Sequence, residues 1–269
     1  MYGGHVPQKL IAAMNEARLD AYRGEWARVA GIAPAQVSTA AVSSLYVWQV
    51  SLSAAWFETL SYTEIVIRNS LDKSLRTWNI SRGKSEDWLD DPATPLSGLV
   101  GYAAGKSSSR AQKAKNVRGP GHPRYGMPVT LDDRVSQLEF GTLPHFLPQR
   151  PPTSRANLGS GFTARENLWI NALRHAFPAM GGDLTKSLQS QLPPGLPSQV
   201  VDAYAVGLAL ERLRRLRNRV FHHEQTFQVE HSRRLKDVAI LLRGVDHGAA
   251  EDLKRLDTVR RILAMRPQP

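Results

Sequence analysis

Apolar side chains at Leu10, Ile11, Met14, Leu19, Tyr22, Trp26 and Val29 recur at near-helical spacing and stop at Gly31 and Pro34, which predicts a first helix. From Ser43 to Trp78 the chain has neither Pro nor Gly. Leu45, Trp48, Leu52, Trp56, Leu60, Ile67, Leu71, Leu75 and Trp78 make one long apolar stripe there, predicting the longest helix, or two joined end to end. Val135 to Leu147 reads as a helix start broken by Gly141 and closed by Pro144 and Pro148. Leu168, Trp169, Ala172, Leu173, Ala176 and Phe177 predict a short helix ended by Pro178. A further helix is expected from an N-cap at Ser198 to about His222, then two short ones between His231 and Met265, separated near Gly244 and Gly248. No stretch alternates β-branched and polar residues between hairpin turns, so the fold class is all-α.

Between Pro92 and Leu131 there is no Asp or Glu, while Lys106, Arg110, Lys113, Lys115, Arg118 and Arg124 are positive and Gly, Pro and Ser are frequent. The expectation is a basic, loop-rich insertion over about 92–131, serving either as an arm that tracks phosphates or as a solvated excursion. Over all 269 residues, 35 Lys and Arg against 24 Asp and Glu leave a formal charge of +11, which favours polyanionic partners and RNA among them. The absence of cysteine excludes disulfides, thiolate metal sites and Cys nucleophiles. No apolar leader core opens the chain and no run approaches the ~18 apolar residues of a membrane span, so a cytoplasmic chain without a membrane partner is expected. Both halves read as helical and no independent repeat flanks the prolines at 193–197, so 1–269 reads as a single domain.

The segment from Glu211 to Glu224 carries the candidate chemistry. Val206, Ala209, Leu213, Leu216 and Val220 repeat at three and four residues as a core stripe. At about 100° per residue, Glu211, Arg214, Arg215, Asn218 and His222 fall on the opposite side, with Arg217 at the flank. Arginine clamps a phosphate through two donors, and histidine moves a proton near neutral pH. Those are parts for cleaving RNA without a metal: a base for the 2′-hydroxyl, a cation for the developing phosphorane and an acid for the leaving 5′-oxygen. One histidine does not serve both ends of the phosphate at once, so a homodimer is expected. His223, about 100° further round, is expected to point back toward Leu216 and Val220.

Arg217-Asn218-Arg219-Val220-Phe221-His222 resembles the arginine, polar residue, three variable positions, histidine motif of HEPN ribonucleases. The longer stretch LRNRVFHHEQ, Leu216 to Gln225, resembles the Abi-like (abortive infection, AbiD/AbiF type) bacterial proteins. Trp48 to Arg76 is similar to that family's N-terminal helix with a glutamate followed by Arg-Asn, here Glu64 and Arg68-Asn69. Leu138 to Leu143 (LEFGTL) resembles its Leu-x-Phe-Gly element, and Trp169 to Pro178 its Trp-to-Phe-Pro segment. The resemblance covers most of the chain outside the basic insertion. It implies a HEPN-like helical bundle and a metal-independent endoribonuclease, a toxin or antiviral defence hydrolase, with a composite site at a homodimer interface. Arg217 and His222 would be its catalytic pair and Asn218 the polar residue orienting them. A regulatory noncoding RNA or an antitoxin is a further partner the resemblance allows.

Around that pair, Arg214, Arg215, Lys106, Arg110, Lys113, Lys115 and Arg118 are the candidate substrate-binding cations. Glu64, Arg68 and His223 are candidates for a supporting shell, although Glu64 and Arg68, one turn apart, also suit a plain intrahelical ion pair. No cofactor is expected. His222, His223 and Glu224 lack the i, i+4 spacing of a helical zinc motif, so no metal ligand is assigned. Gly181-Gly182 has no following Lys and makes no phosphate loop. The tryptophans at helical spacing are most simply core. The competing functional class is a non-catalytic RNA-binding module or scaffold, with a helical partner of a nucleotidyltransferase as a third reading.

Overall fold

The computed structural model describes residues 8–186 and 188–269; the first seven residues and the side chain expected at Leu10 lie outside that description. The helices, in chain order, are α1 (Gln8–Ala12), α2 (Glu16–Ala30), α3 (Thr39–Ser81), α4 (Ser97–Asn116), α5 (Leu131–Ser136), α6 (Ala164–Asn171), α7 (Gly182–Lys186), α8 (Val201–Phe221), α9 (His231–Val245), α10 (His247–Leu256) and α11 (Val259–Ala264). Among the described residues there is no strand, and the fold is all-α. None of these helices is both long and apolar enough to cross a membrane.

The chain forms two compact units, each assembled from separated segments. The first comprises the described residues up to Tyr62, with Arg215–His231 and Asp252–Pro269. Its α2 starts at Asn15, whose side chain accepts the Ala17 N–H, and stops at Gly31, which takes the left-handed φ of 68° that suits glycine. The first part of α3 buries the expected stripe, Leu45, Trp48, Leu52, Trp56 and Leu60. Each tryptophan N–H finds an acceptor: Trp48 Nε1 donates to the Ile262 carbonyl at 2.7 Å and Trp56 Nε1 to His231 Nδ1 at 2.9 Å. Buried Gln49 exchanges hydrogen bonds with Thr226, so the 222–231 stretch after α8 is tied to α3 at two points. Buried Glu25 is held by Arg28 at 2.9 Å and by Arg266 at 2.6 Å.

The second unit comprises Thr63–Arg214 and Ser232–Glu251. Here α3 continues the stripe with Ile67, Leu71, Leu75 and Trp78, and its Ser70 and Ser74 hydroxyls donate to the Ala176 and Ala172 carbonyls. Glu166, fully buried, caps the start of α6 with Thr163 and accepts from Arg155 at 2.6 Å and Tyr204 at 3.0 Å. Burial alone would raise the Glu166 carboxyl. The bonds from Arg155, Thr163 and Tyr204 overcome that and hold it below the usual carboxylate range. At Gly207 in α8 the backbone passes against residues 147–148: a Cβ there would overlap the Pro148 carbonyl oxygen and stand 3.2 Å from Leu147 Cβ.

Several expectations need correction. The 92–131 stretch is not loop-rich throughout, because α4 takes 20 of its residues, Ser97–Asn116. Val100, Ala103, Ser107 and Ala111 are buried at spacings of three and four, so small side chains make a packing face that Gly and Ser content disguised. Ser198 is not an N-cap; it opens a 3-10 turn, Ser198–Val200, that leads into α8. The C-terminal region holds three helices, and Gly244 lies within α9, buried against Phe177 and Met180.

Candidate functional site

The stripe Val206, Ala209, Leu213, Leu216 and Val220 is buried along α8, so the helix presents its other positions away from the core. Arg217 sits at the flank, half-buried, with its guanidinium 3.8 Å from the centre of the Phe221 ring one turn later. Its Nε is buried without a hydrogen-bond partner, and no carboxylate pairs with it among the described residues. An arginine fixed by stacking and left without an anion is primed for one from outside, since a buried polar atom without a partner carries a cost. Asn218 is half-buried, and its carbonyl accepts the His222 N–H at 2.9 Å.

Beyond Phe221 the chain leaves the helix. His222 is exposed, and its ring has no partner among the described residues. His223 takes a left-handed φ of 54°, and its carbonyl accepts from Arg18 Nη2 at 2.9 Å. This overturns the expectation that His223 turns back toward Leu216 and Val220: α8 ends two residues before it, the 100° rule stops there, and the side chain is exposed. The bend at 223 turns the chain toward Thr226, whose bonds to Gln49 hold the return.

The other candidate residues divide by their partners. Arg214 is bound through two nitrogens to Glu211, at 2.7 and 2.8 Å, which neutralises the charge expected to meet substrate. Arg215 is exposed and belongs to the first unit, with Arg217 and His222. In the second unit Lys106 and Arg110 both pair with Glu139, and Arg118 and Arg124 both pair with Asp133. The acid-free run thus finds its carboxylates beyond its own end, which spacing within the run did not reveal. Lys113 and Lys115 have no carboxylate partner among the described residues. Glu64 and Arg68 form an ion pair at 3.4 Å, and Arg68 also donates to the Ser136 and Leu138 carbonyls. Arg68 thus links Glu64 to the chain leading into the Leu138–Leu143 segment, within the second unit.

Sequence reasoning missed two aromatic residues. Phe57 and Phe221 remain 49% and 41% exposed although their rings lie 5.1 Å apart. Val50, Ala54 and Phe57 repeat at four and three residues off the core stripe of α3, a second apolar line that was legible but overshadowed by the tryptophans. Among the described residues no three His, Asp or Glu side chains converge as a metal-ligand set. No family model, curated protein or solved structure matches the chain.

Proposed function

We propose that this protein is a metal-independent endoribonuclease of the HEPN type, acting in phage defence or as a toxin, with its catalytic site completed in a homodimer. The observation that carries the reading is Arg217: stacked on Phe221, free of any carboxylate among the described residues, and five positions before an exposed histidine at the end of the same helix. In the proposed reaction His222 takes the proton of an RNA 2′-hydroxyl, whose oxygen attacks the adjacent phosphorus. Arg217 stabilises the charge that builds on the non-bridging oxygens. The 5′-oxygen departs with a proton from a second acid, leaving a 2′,3′-cyclic phosphate. His222 of a second copy supplies that acid, because base and acid act at opposite ends of the phosphate. Asn218, one turn before His222, positions the pair.

The test is cleavage of single-stranded RNA by the wild-type protein beside Arg217→Ala and His222→Ala, with EDTA present. Each substitution is expected to lower the rate by more than ~10², the usual cost of losing one transition-state donor, with circular dichroism unchanged. Cleavage at the wild-type rate by either variant, or abolition of cleavage by EDTA, would overturn the proposal.

A further inference from the structure

Between α2, the first part of α3 and the end of α8 lies an open cavity of about 440 Å³, wholly within the first unit. Tyr46, Phe57 and Phe221 supply ring surface to its lining, and Ser53, Glu224 and Arg18 supply polar atoms. This is within the size range of small-molecule pockets, with apolar walls and few polar groups. Two features distinguish it from an ordinary surface dent. Two of its aromatic rings, Phe57 and Phe221, are left half open to solvent, while Tyr22 in the same lining is buried. And Phe221, whose ring lies 5.1 Å from that of Phe57, also carries the Arg217 guanidinium 3.8 Å from its centre, so a ring bound against this aromatic pair comes close to the phosphate-seeking arginine.

We infer that this cavity receives a nucleobase of the single-stranded RNA next to the scissile phosphate, stacked on Phe57 and Phe221, and so selects where the strand is cut. The choice of substrate rests on the ribonuclease reading above. Every nucleobase offers a π-face to an aromatic wall, and single-stranded RNA is recognised by such stacking. The charge around the mouth fits the attached backbone. Arg18 in the lining and Arg217, stacked on the lining residue Phe221, are cationic and lack a carboxylate partner among the described residues, while Arg219, outside the lining, lies 3.8 Å from the lining residue Glu224. Among the described residues Glu224 is the one carboxylate in the lining, and it suits the amino edge of a base. Gln49 also lines the cavity, but its amide is engaged with Ser53 and Thr226 and stiffens the floor.

Binding of an uncleavable 2′-O-methyl RNA octamer, compared by fluorescence anisotropy with an abasic oligomer of equal phosphate number, tests the assignment without requiring catalysis. The wild-type protein is expected to prefer the base-bearing strand by roughly 5- to 150-fold, the range of one base–aromatic stack. Phe57→Ala should remove most of that preference and leave the affinity for the abasic strand unchanged, and Phe57→Trp should restore it. Equal binding of the two strands by wild type overturns the pocket, whatever His222→Ala does to cleavage. Displacement of the octamer by micromolar adenosine monophosphate overturns it in favour of a free-nucleotide site. If Phe57→Ala halves the mass in sedimentation and weakens both strands equally, the groove is a contact between copies of the chain. A base preference that depends on Phe57, in a protein whose His222→Ala variant still cuts, supports the pocket and removes the proposed chemistry.

Discussion

Arg217 and Phe221 show how one residue's charge is kept available by another's apolar surface. A guanidinium stacks on a ring face through its own plane, whereas an ammonium has no plane to match. Arg217→Lys is therefore expected to keep the charge, lose the stacked orientation and cut RNA 10- to 100-fold more slowly, roughly 1.4 to 2.7 kcal/mol in the barrier. Single-turnover kinetics would show this, and a rate equal to wild type would mean that charge alone suffices. Arg217 and His222 were legible in the sequence because their spacing places them on and just beyond one helix, off its core stripe. His223 was not, because the register rule holds only while the helix continues and its end at Phe221 left no Gly or Pro behind it. The fixing of Arg217 by a ring, rather than by a carboxylate, was also beyond reach of spacing.

Among the elements, α3 and the return chain after α8 are joined through a histidine that must stay neutral. His231 Nδ1 accepts from Trp56, so its Nε2 carries the proton and donates to the Thr226 carbonyl at 3.1 Å. Burial, with the nearby Arg266 charge adding to it, outweighs the Thr226 bond and pushes its pKa down from 6.5 to about 4. The unfolded chain takes up a proton first as pH falls. The contribution of His231 to stability is thus intact above about 6.5 and is lost progressively down to about 4. On the order of 3 kcal/mol should disappear over that window. Urea titrations at several pH values should show a smaller decline for His231→Gln than for wild type; parallel declines would mean that the imidazole titrates freely. The long apolar run made α3 legible residue by residue. The coupling to His231 was not, because it joins positions 175 residues apart. The same holds for α4: its cations were visible, but Glu139 and Asp133 lie outside the acid-free run. With those pairs made, Lys113→Ala together with Lys115→Ala is expected to flatten the salt dependence of single-strand binding by at most about 1.4, some 0.7 per lost phosphate contact. An unchanged slope of log affinity against log salt would show that these two lysines do not contact phosphate.

For the whole molecule, the proposed reaction would make a dimer a chemical requirement, because base and acid act at opposite ends of the phosphate. Because the proposed reaction draws His222 from both copies, a heterodimer of wild-type and His222→Ala chains should be inactive, and excess His222→Ala protein should suppress cleavage by the wild type. Undiminished wild-type cleavage in a mixture shown to exchange subunits, or full activity from a sedimenting monomer, would contradict a shared site. The division into two compact units was invisible in the sequence for a definite reason. Its boundaries after Tyr62 and before Arg215 fall inside α3 and α8, where no Pro, Gly or shift of composition marks them. Close approach of backbone at Gly207 was equally hidden, since a glycine within a helix reads only as a weak position. That contact has a consequence for how the chain tolerates genetic change. In a saturation library selected for folded protein, codon 207 should fall almost to glycine alone, because the obstructing atom is the main-chain oxygen of Pro148 and cannot rotate away. Gly24, Gly98, Gly101 and Gly105, also helical, have open space around them and should drift freely toward alanine, each such change adding up to ~1 kcal/mol of helix propensity. One invariant codon among four permissive ones would be the mutational imprint of a single packed crossing.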